Sequence, residues 1–590
     1  MKIVKMFILL LLIVNFASCN VKEEKQNESD GSQNFRLNQI GFYPQTEKIA
    51  VITANYSGEF YIKTSDKLEL VYTGKVSDVQ EVELSFKETC VADFSDFTQT
   101  GKFVIEIPGI GTSKPFEIKE KIYSEVATAS LKGFYFQRMS TELTAEFAGK
   151  WARPISHPDT NVMVHSSAAS KNLPEGSIIS APYGWYDAGD YNKYIVNSGI
   201  TTATLLSLYE DFPESFSKKN LQIPESKNNL PDILDEILWN LRWMLKMQDK
   251  EDGGVYHKLT AANFDGMIMP HESTSQRYVV QKSTAAALNF AAVCAQAARI
   301  LKNFEKDLPQ LADSCQIAAE KAWIWAIKNP EVAYIQAKIN EATEPDIQTG
   351  EYGDSTFEDE FFWAATELFI TTQKMEYANY VETNFDKTFS IPSWDQVRAL
   401  GYYSLLRKKS DLPNFPTEII EKIQTNLLSF AENMILDVEK TPFRMVMGKD
   451  KSDFIWGSSS VAANQGILLL NAYKFSNDKR FYNEALANLD YLLGRNATNF
   501  SFVTGFGHKT PMFLHHRQSQ ADGIAEPIPG LLSGGPNVGK QDKCNYPYSS
   551  PEESYVDVVD SYASNEIAIN WQAAFSYLVN VIEIMQNTEN

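Results

Sequence analysis

The chain has 590 residues, of which 44% are hydrophobic and 12% aromatic, and its formal net charge at pH 7 is −21. That apolar content is enough for a large core and excludes a chain that is disordered throughout. The negative charge would repel a phosphate backbone, so it argues against nucleic acid as a partner but permits a neutral polymer. Aromatic residues mainly fill cores, and their flat apolar faces also suit sugar rings.

The first residues have the pattern of an export signal. Two lysines precede an apolar run that is too short to span a bilayer. FASC at residues 16–19 resembles a bacterial lipobox, with Phe16 where Leu is usual. We therefore predict a signal peptide over residues 1–18, lipid attachment at Cys19 and a flexible, charged tether over residues 19–33. The tether resembles the surface-export signal of Bacteroidetes lipoproteins. This predicts an outer-membrane lipoprotein at the cell surface or facing the periplasm; the alternative is a secreted protein with an unmodified cysteine.

Residues 34–120 are predicted to form an all-β domain. They contain short segments rich in β-branched and aromatic residues, separated by turns, as is typical of a β-sandwich. The predicted strands are residues 48–54, 59–63, 68–72, 81–86 and 102–107.

Residues 121–590 are predicted to be helical. In residues 230–245 apolar side chains recur at positions i, i+3, i+4 and i+7, which indicates an amphipathic helix. Similar patterns cover residues 284–301, 360–372, 416–436, 461–473, 480–493 and 566–585. Long loops rich in glycine, proline and aromatic residues join them, and rigid helices with such loops are the usual layout of an enzyme.

The most informative segment is YGWYDAGDYNKYIVNSGI at residues 183–200. Asp187 and Asp190 lie three residues apart around a glycine, so both carboxylates can converge on one water, one of them removing its proton. A helix N-cap followed by a first-turn acid is the alternative interpretation.

Two further segments near the end of the chain carry candidate functional groups. Glu566 lies among aromatic residues and precedes an apolar run, so it could have a raised pKa and act as an acid; a first-turn glutamate favoured by the helix dipole is the alternative. His515 and Arg517 follow a glycine-rich loop and could donate hydrogen bonds to hydroxyl groups.

Together these segments resemble glycoside hydrolase family 9, a family of inverting enzymes that includes many cellulases. Residues 187–190 match its motif for the nucleophilic water, residues 501–517 its histidine signature, and residues 555–568 its acidic signature, which continues to Gln572 where the family has Asn. Residues 38–42 and 92–95 resemble the immunoglobulin-like domain that precedes the catalytic domain in one branch of the family.

The resemblance implies a multidomain protein, with an all-β immunoglobulin-like sandwich followed by an all-α (α/α)6 barrel. It implies that Asp190 is the general base, that Asp187 helps to hold the water, and that Glu566 is the general acid. His515, Arg517, Tyr562 and Trp185 are expected to bind substrate. For an inverting enzyme the two carboxyl groups should lie about 6.5–9.5 Å apart.

The chemistry itself requires no cofactor. Some relatives bind calcium through a loop shaped like residues 354–360, which implies a structural calcium ion at Ser355, Asp359 and Glu360. A solvated acidic helix start is the alternative. The five cysteines form no CxxC pair, and we predict no zinc site.

The expected activity is inverting, endo-acting hydrolysis of plant β-1,4-glucans such as cellulose, xyloglucan or mixed-linkage glucan by a monomeric enzyme. Two alternatives stay open at this point. One is an exo-acting β-glucosidase, glucosaminidase or cellobiohydrolase of the same family. The other is a non-catalytic glycan-binding lipoprotein, against which the intact acidic residues argue.

Overall fold

A computed structural model of the chain describes residues 31–85 and 87–589. The predicted signal peptide at residues 1–18, the lipid-attachment site Cys19 and nearly all of the predicted tether lie outside the described residues.

The N-terminal domain is a β-sandwich. One sheet has the strand order β1-β3-β7-β6 and the other the order β2-β10-β8-β4-β5, with β9 paired to β8. Phenylalanine side chains from both sheets, including Phe35 from the first and Phe60 and Phe103 from the second, pack between them because the strands alternate inward and outward residues. The strands are β1 (Phe35–Arg36), β2 (Gly41–Phe42), β3 (Ile49–Ile52), β4 (Glu59–Thr64), β5 (Leu70–Lys75), β6 (Gln80–Val82), β7 (Lys87–Asp93), β8 (Gly101–Ile107), β9 (Gly111–Thr112) and β10 (Phe116–Ile118).

The rest of the described chain is an α-helical barrel, and the prediction of an immunoglobulin-like sandwich followed by an (α/α)6 barrel is confirmed. From residue 121 to residue 589 there are twelve helices of nine or more residues. Helices α3, α6, α9, α11, α13 and α17 form the inner ring, which α17 closes by packing against both α13 and α3. The twelve are α1 (Ser124–Phe136), α3 (Ile195–Asp211), α5 (Asp232–Lys246), α6 (Thr284–Leu301), α7 (Leu311–Lys328), α9 (Glu358–Thr372), α10 (Met375–Thr383), α11 (Arg398–Lys408), α12 (Thr417–Ile435), α13 (Ser458–Ser476), α14 (Lys479–Leu492) and α17 (Ile569–Glu589). The shorter ones are α2 (Ala145–Ala148), α4 (Pro213–Phe216), α8 (Gln336–Ala342), α15 (Arg517–Ala521) and α16 (Tyr562–Asn565).

Helix α6 is long and apolar enough to cross a membrane, but it is buried in the barrel core. This is the usual property of an inner-ring helix, which is apolar on all sides because protein surrounds it.

A small sheet lies at the end of the barrel where the inner helices begin. Its strand order is β12-β11-β15-β14-β13, and β13 leads directly into α3. The sheet therefore fixes the loop that carries Asp187 and Asp190 at the mouth of the barrel. Its strands are β11 (Val162–Val164), β12 (Ile178–Ile179), β13 (Lys193–Tyr194), β14 (Lys258–Ala261) and β15 (Arg277–Val279).

The sandwich and the barrel share a buried polar interface. Asn38 donates a hydrogen bond of 2.7 Å to the buried carboxylate of Asp490. Gln39 accepts the backbone N–H groups of His508 and Lys509 at 2.7 and 2.9 Å. A buried polar group without a hydrogen-bond partner destabilises the folded protein. These contacts therefore fix the sandwich against the loop that leads into the histidine signature.

Several details differ from the sequence prediction. The predicted strand over residues 81–86 is a strand only over Gln80–Val82 and a turn over residues 83–85. Strand β7 was not predicted, since its sequence KETCVAD has few large apolar residues, yet it lies between β3 and β6 and buries Cys90. The last helix begins at Ile569 and not at Glu566, which has an extended backbone between α16 and α17. The carboxyl group of Glu566 is thus carried by an extended segment that reaches the barrel mouth.

Candidate active site

Asp187 and Asp190 lie in the loop that precedes β13 and α3. The N-cap of α3 is Tyr194, whose side chain makes no capping bond, so the alternative interpretation as a helix cap and first-turn acid is wrong. Both carboxyl groups are buried at the barrel mouth. A pair of buried carboxyl groups is costly unless it is hydrogen-bonded, and each of the two has its own set of donors.

The backbone brings this loop against the C-terminal acidic segment. Ala188 pairs with Ala568, and His515 pairs with Glu566, in isolated β-bridges. Between them, the N–H of Gly189 donates to Oε1 of Glu566 at 3.3 Å, across 377 positions of the chain. The sequence expectation that these distant acids meet in one site is met by this geometry.

Gly189 is needed at the point where the segments cross. A Cβ atom at this position would lie 1.9 Å from the carbonyl oxygen of His515 and 3.2 Å from Oε1 of Glu566. No side chain fits into that space, so only glycine lets the two segments approach this closely.

Each oxygen of Asp187 accepts one hydrogen bond. Asn197 donates to Oδ1 at 2.7 Å and the hydroxyl of Tyr352 to Oδ2 at 2.8 Å. Burial, and next the Asp190 carboxylate, raise the pKa of Asp187 to about 8. The hydrogen bonds from Asn197 and Tyr352 act in the opposite direction and favour the charged form of Asp187.

Asp190 accepts hydrogen bonds through a single oxygen. Asn192 donates to Oδ2 at 2.5 Å and Tyr194 donates to the same atom at 3.3 Å. Oδ1 has no donor among residues 31–85 and 87–589. An oriented carboxylate with one unoccupied oxygen is the arrangement that a general base for water requires.

Glu566 has the properties of a general acid. Burial raises its pKa well above the usual value, the Asp190 and Asp187 carboxylates raise it further, and Arg517 and the Gly189 N–H lower it. A carboxyl group in this environment keeps its proton near neutral pH, because ionisation would place another negative charge beside the aspartates. The surroundings of Glu566 therefore favour its protonated form.

His515 lies beside Glu566 and is held in one tautomer. Its Nδ1 donates to the carbonyl oxygen of Val559 at 2.7 Å, and burial lowers its pKa. A neutral imidazole that donates through Nδ1 has an acceptor at Nε2. The neutral form of His515 would accept a hydrogen bond from a sugar hydroxyl at Nε2, and the predicted donation to a hydroxyl would need the charged form.

Arg517 mainly supports the catalytic loop. Its Nη1 and its backbone N–H both donate to the carbonyl oxygen of Gly189, at 2.8 and 3.1 Å, and its Nε donates to the carbonyl of Asp265 at 2.8 Å. The residue is only 6% exposed. Nη2 is the group left for a sugar hydroxyl, so Arg517 is first a positioning residue.

An aromatic strip leads away from the acids. The ring of Tyr562 lies 5.9 Å from that of His515 and 5.4 Å from that of Trp456, which is 40% exposed. Such a strip can pack against the faces of successive sugar rings. Tyr562 is placed as predicted, and Trp456, which the sequence analysis did not single out, extends the surface.

Trp185 is not a substrate-binding residue. Its side chain is fully buried, its indole N–H donates to Oε1 of Glu236 at 2.8 Å, and its ring packs on Phe134. The prediction was wrong because nearness in sequence to Asp187 does not fix which way a side chain points; Trp185 supports the loop from the core side.

The predicted calcium loop contains buried carboxyl groups without donors. Oδ2 of Asp354 and both carboxylate oxygens of Glu360 are buried and have no hydrogen-bond partner in the described chain. Burial raises the pKa of Glu360 well above its usual value, and the adjacent Asp359 raises it further. Ser355 is exposed. Within the described residues no three His, Cys, Asp or Glu side chains are gathered as a metal site, so any cation here would need carbonyl or hydroxyl oxygens as well.

A helical barrel whose mouth brings two buried aspartates and a glutamate of raised pKa together beside an aromatic strip has the arrangement of a glycoside hydrolase. Comparison with known proteins agrees: the profile of glycosyl hydrolase family 9 matches residues 123–579, and that of the cellulase N-terminal Ig-like domain matches residues 30–112. The chain belongs to glycosyl hydrolase family 9. The expectation of a cellulase-type hydrolase is confirmed.

Several relatives are similar over most of their length. The xyloglucan-specific endo-β-1,4-glucanase BoGH9A of Bacteroides ovatus is 45% identical, over 93% of this chain and 94% of that protein. Endoglucanase D of Acetivibrio thermocellus is 34% identical, over 96% and 85%. The solved structure of a Bacteroides ovatus GH9 protein has a TM-score of 0.89 at 43% identity and covers 94% of this chain and 100% of that one.

We predict that Asp190→Ala and Glu566→Ala each lower kcat on a polymeric glucan by about 10²–10⁴-fold, because each removes a proton-transfer group. The rate of reducing-end release measures this, and circular dichroism shows whether the variants fold. Asp190→Asn and Glu566→Gln are matched controls that keep the shape and should be similarly inactive. Retention of most activity by both alanine variants would contradict the assignment.

We also predict a shift in the alkaline limb of the pH–rate profile. Glu566 acts in its protonated form, so the rate falls as pH rises through its pKa, and Arg517 lowers that pKa. Arg517→Met should therefore move the limb to higher pH, whereas Arg517→Lys, which keeps the charge, should leave it closer to that of the unmodified enzyme. A limb that moves to lower pH in Arg517→Met would refute the pairing of these two groups.

Proposed function

We propose that the protein is an inverting endo-β-1,4-glucanase whose preferred substrate is a xyloglucan-like branched β-glucan. The observation that carries the proposal is the arrangement of Asp190 and Glu566 at the barrel mouth, in a chain that is 45% identical to a xyloglucan-specific endo-β-1,4-glucanase. The recognition of neutral sugars needs apolar surface and hydrogen bonds and no positive charge, in agreement with the acidic composition.

In the proposed reaction, a water attacks the anomeric carbon while the glycosidic bond breaks. Asp190 takes the proton of the attacking water through its unoccupied Oδ1, and Asp187, held by Asn197 and Tyr352, keeps the water between the two aspartates. The new C–O bond forms on the face opposite the leaving group, so the anomeric configuration inverts.

Glu566 gives its proton to the glycosidic oxygen in the same step. The leaving chain departs with a new hydroxyl group, and Glu566 becomes a carboxylate that accepts the Gly189 N–H. The negative charge moves from the aspartate side to the glutamate side, because Asp190 gains a proton from the attacking water while Glu566 gives its own proton to the leaving chain. Asp190 is buried and Glu566 is half-buried, so less water competes with these interactions than at the surface.

The proposed substrate is tested with a panel of soluble polysaccharides. We expect kcat/KM on xyloglucan to exceed that on mixed-linkage glucan and carboxymethylcellulose by about tenfold or more, equivalent to about 1.4 kcal/mol of extra transition-state binding. Endo action should lower the viscosity early, before many reducing ends appear. Equal rates across the panel would contradict the xyloglucan preference, and release of small products without loss of viscosity would favour an exo-acting enzyme.

We further propose that a structural calcium ion is bound at Ser355, Asp359 and Glu360, with nearby carbonyl or hydroxyl oxygens as additional ligands. The buried carboxylate oxygens without donors support this. Two adjacent buried carboxyl groups must share either a proton or a cation, and carboxylate oxygens are calcium ligands.

Removal of calcium with a chelator distinguishes a bound cation from a shared proton. With calcium at about 100 times its Kd, bound ion would raise the free energy of unfolding by about 2.7 kcal/mol. We expect the Tm to fall in a chelator, to recover with added calcium and to respond less in Glu360→Gln. An unchanged Tm in chelator and calcium at neutral pH would mean that the carboxyl groups share a proton.

The sequence supports a lipid anchor at Cys19, and we propose that the enzyme acts from the outer membrane of a bacterium. Buried acyl chains bind a membrane at about 0.8 kcal/mol per methylene, so loss of the anchor should release the protein. We expect Cys19→Ala to move the enzyme from the membrane fraction to the soluble fraction with its specific activity unchanged. Membrane retention of Cys19→Ala would contradict the anchor.

A further inference from the structure

The loop between β14 and β15, residues 262–276, is fastened to the catalytic loop. The backbone carbonyl of Asp265 accepts Nε of Arg517 at 2.8 Å, and that of Ile268 accepts the hydroxyl of Tyr191 at 2.6 Å. Arg517 also holds the carbonyl oxygen of Gly189, and Tyr191 directly follows the proposed base. The 262–276 loop is therefore part of the cleft wall, beside the reaction centre.

Hydrogen bonds within the 262–276 loop brace it. The carboxylate of Asp265 accepts the hydroxyl groups of Ser273 and Ser275 at 3.0 and 3.1 Å, and Glu272 accepts the N–H of Met269 at 2.9 Å. Side chains on such a loop are held in place before a ligand arrives, which lowers the ordering cost of binding.

This braced loop exposes two apolar side chains that the proposed chemistry does not use. Phe264 is 46% exposed and Met267 is 37% exposed. The ring of Phe264 lies over the guanidinium carbon of Arg517, 5.4 Å from the ring centroid. A ring that rests on a buried guanidinium group keeps a fixed orientation and leaves the rest of its surface open.

We propose that Phe264, together with Met267, forms an apolar subsite for the side-chain sugars of a branched β-glucan. This inference rests on the proposed function. The guanidinium of Arg517 separates the Phe264 ring from Gly189, so the ring lies at the rim of the cleft and not at the reacting acids. A linear glucan fills the space beside those acids, whereas a xylosyl unit on the O6 atom of a backbone glucose extends outward to the rim. The apolar face of a pyranose ring would then pack on Phe264.

The experiment compares one branched and one linear substrate. For Phe264→Ala we expect KM on xyloglucan to rise about tenfold with little change in kcat, because binding to a side-chain sugar is the same in the ground and transition states. On unbranched mixed-linkage glucan, kcat and KM should stay within about twofold of the unmodified enzyme. Phe264→Trp keeps an aromatic surface and should retain the xyloglucan KM. Leu70→Ala removes an exposed apolar side chain from the sandwich and is the matched control.

Two results would overturn the subsite. If Phe264 only held Arg517 in position, Phe264→Ala would lower kcat equally on the branched and the linear glucan. If the ring had no role in binding, neither KM would change. Both results are distinguishable from failure of the proposed function, since in that case the unmodified enzyme itself would show no preference for xyloglucan, and the subsite would fall with it.

Discussion

Three hydrogen bonds at Gly189 hold the reaction centre together. Its N–H donates to the carboxyl group of Glu566, and its carbonyl oxygen accepts both Nη1 and the backbone N–H of Arg517. A further backbone hydrogen bond joins the two segments next to Gly189: the N–H of Ile569 donates to the carbonyl oxygen of Asp187 at 2.9 Å. Everything else in the site depends on this crossing, because it converts two segments that are far apart in sequence into one cleft with an acid and a base on the same structural frame.

The crossing also produces the electrostatic difference that the chemistry needs. Glu566 is brought close enough to the aspartates for their charge to raise its pKa, while Asp187 and Asp190 are fixed by separate donors. Burial is the largest cause of the raised pKa of Glu566, and the charge of the aspartates adds to it, which favours the protonated form that a general acid needs. Arg517 limits the effect, since its positive charge acts against the aspartates at Glu566.

The sandwich contributes to the site indirectly. Gln39 fixes the backbone of the loop that contains Gly507, where an added Cβ would lie 2.7 Å from Oε1 of Gln39. That loop continues to His515 and Arg517. The N-terminal domain is thus part of the support of the catalytic loops. The two domains share buried polar contacts, and their loss would remove the Asn38 donor from the buried carboxylate of Asp490.

The sequence predicted the order of domains, most helices and the three acids, since these depend on periodicity and on short motifs around Asp187, Asp190 and Glu566. It could not supply what depends on distant contacts. Tyr352 donates a hydrogen bond to Asp187 across 165 positions, and no local sequence pattern predicts that bond. The prediction that Trp185 binds substrate was wrong for the same reason, because helices elsewhere in the chain bury its side chain in the core.

In the proposed single displacement Asp190 is the base and Glu566 is the acid. The stereochemistry of the first product tests this mechanism most directly. Proton NMR of a β-linked gluco-oligosaccharide during the first moments of hydrolysis distinguishes the anomers before mutarotation mixes them. Inversion at a β-linkage gives the α-anomer, so we expect the α-anomer to appear first and the β-anomer to follow by mutarotation. If the β-anomer appeared first, a covalent intermediate would be required, and the roles given to the two carboxyl groups would be wrong.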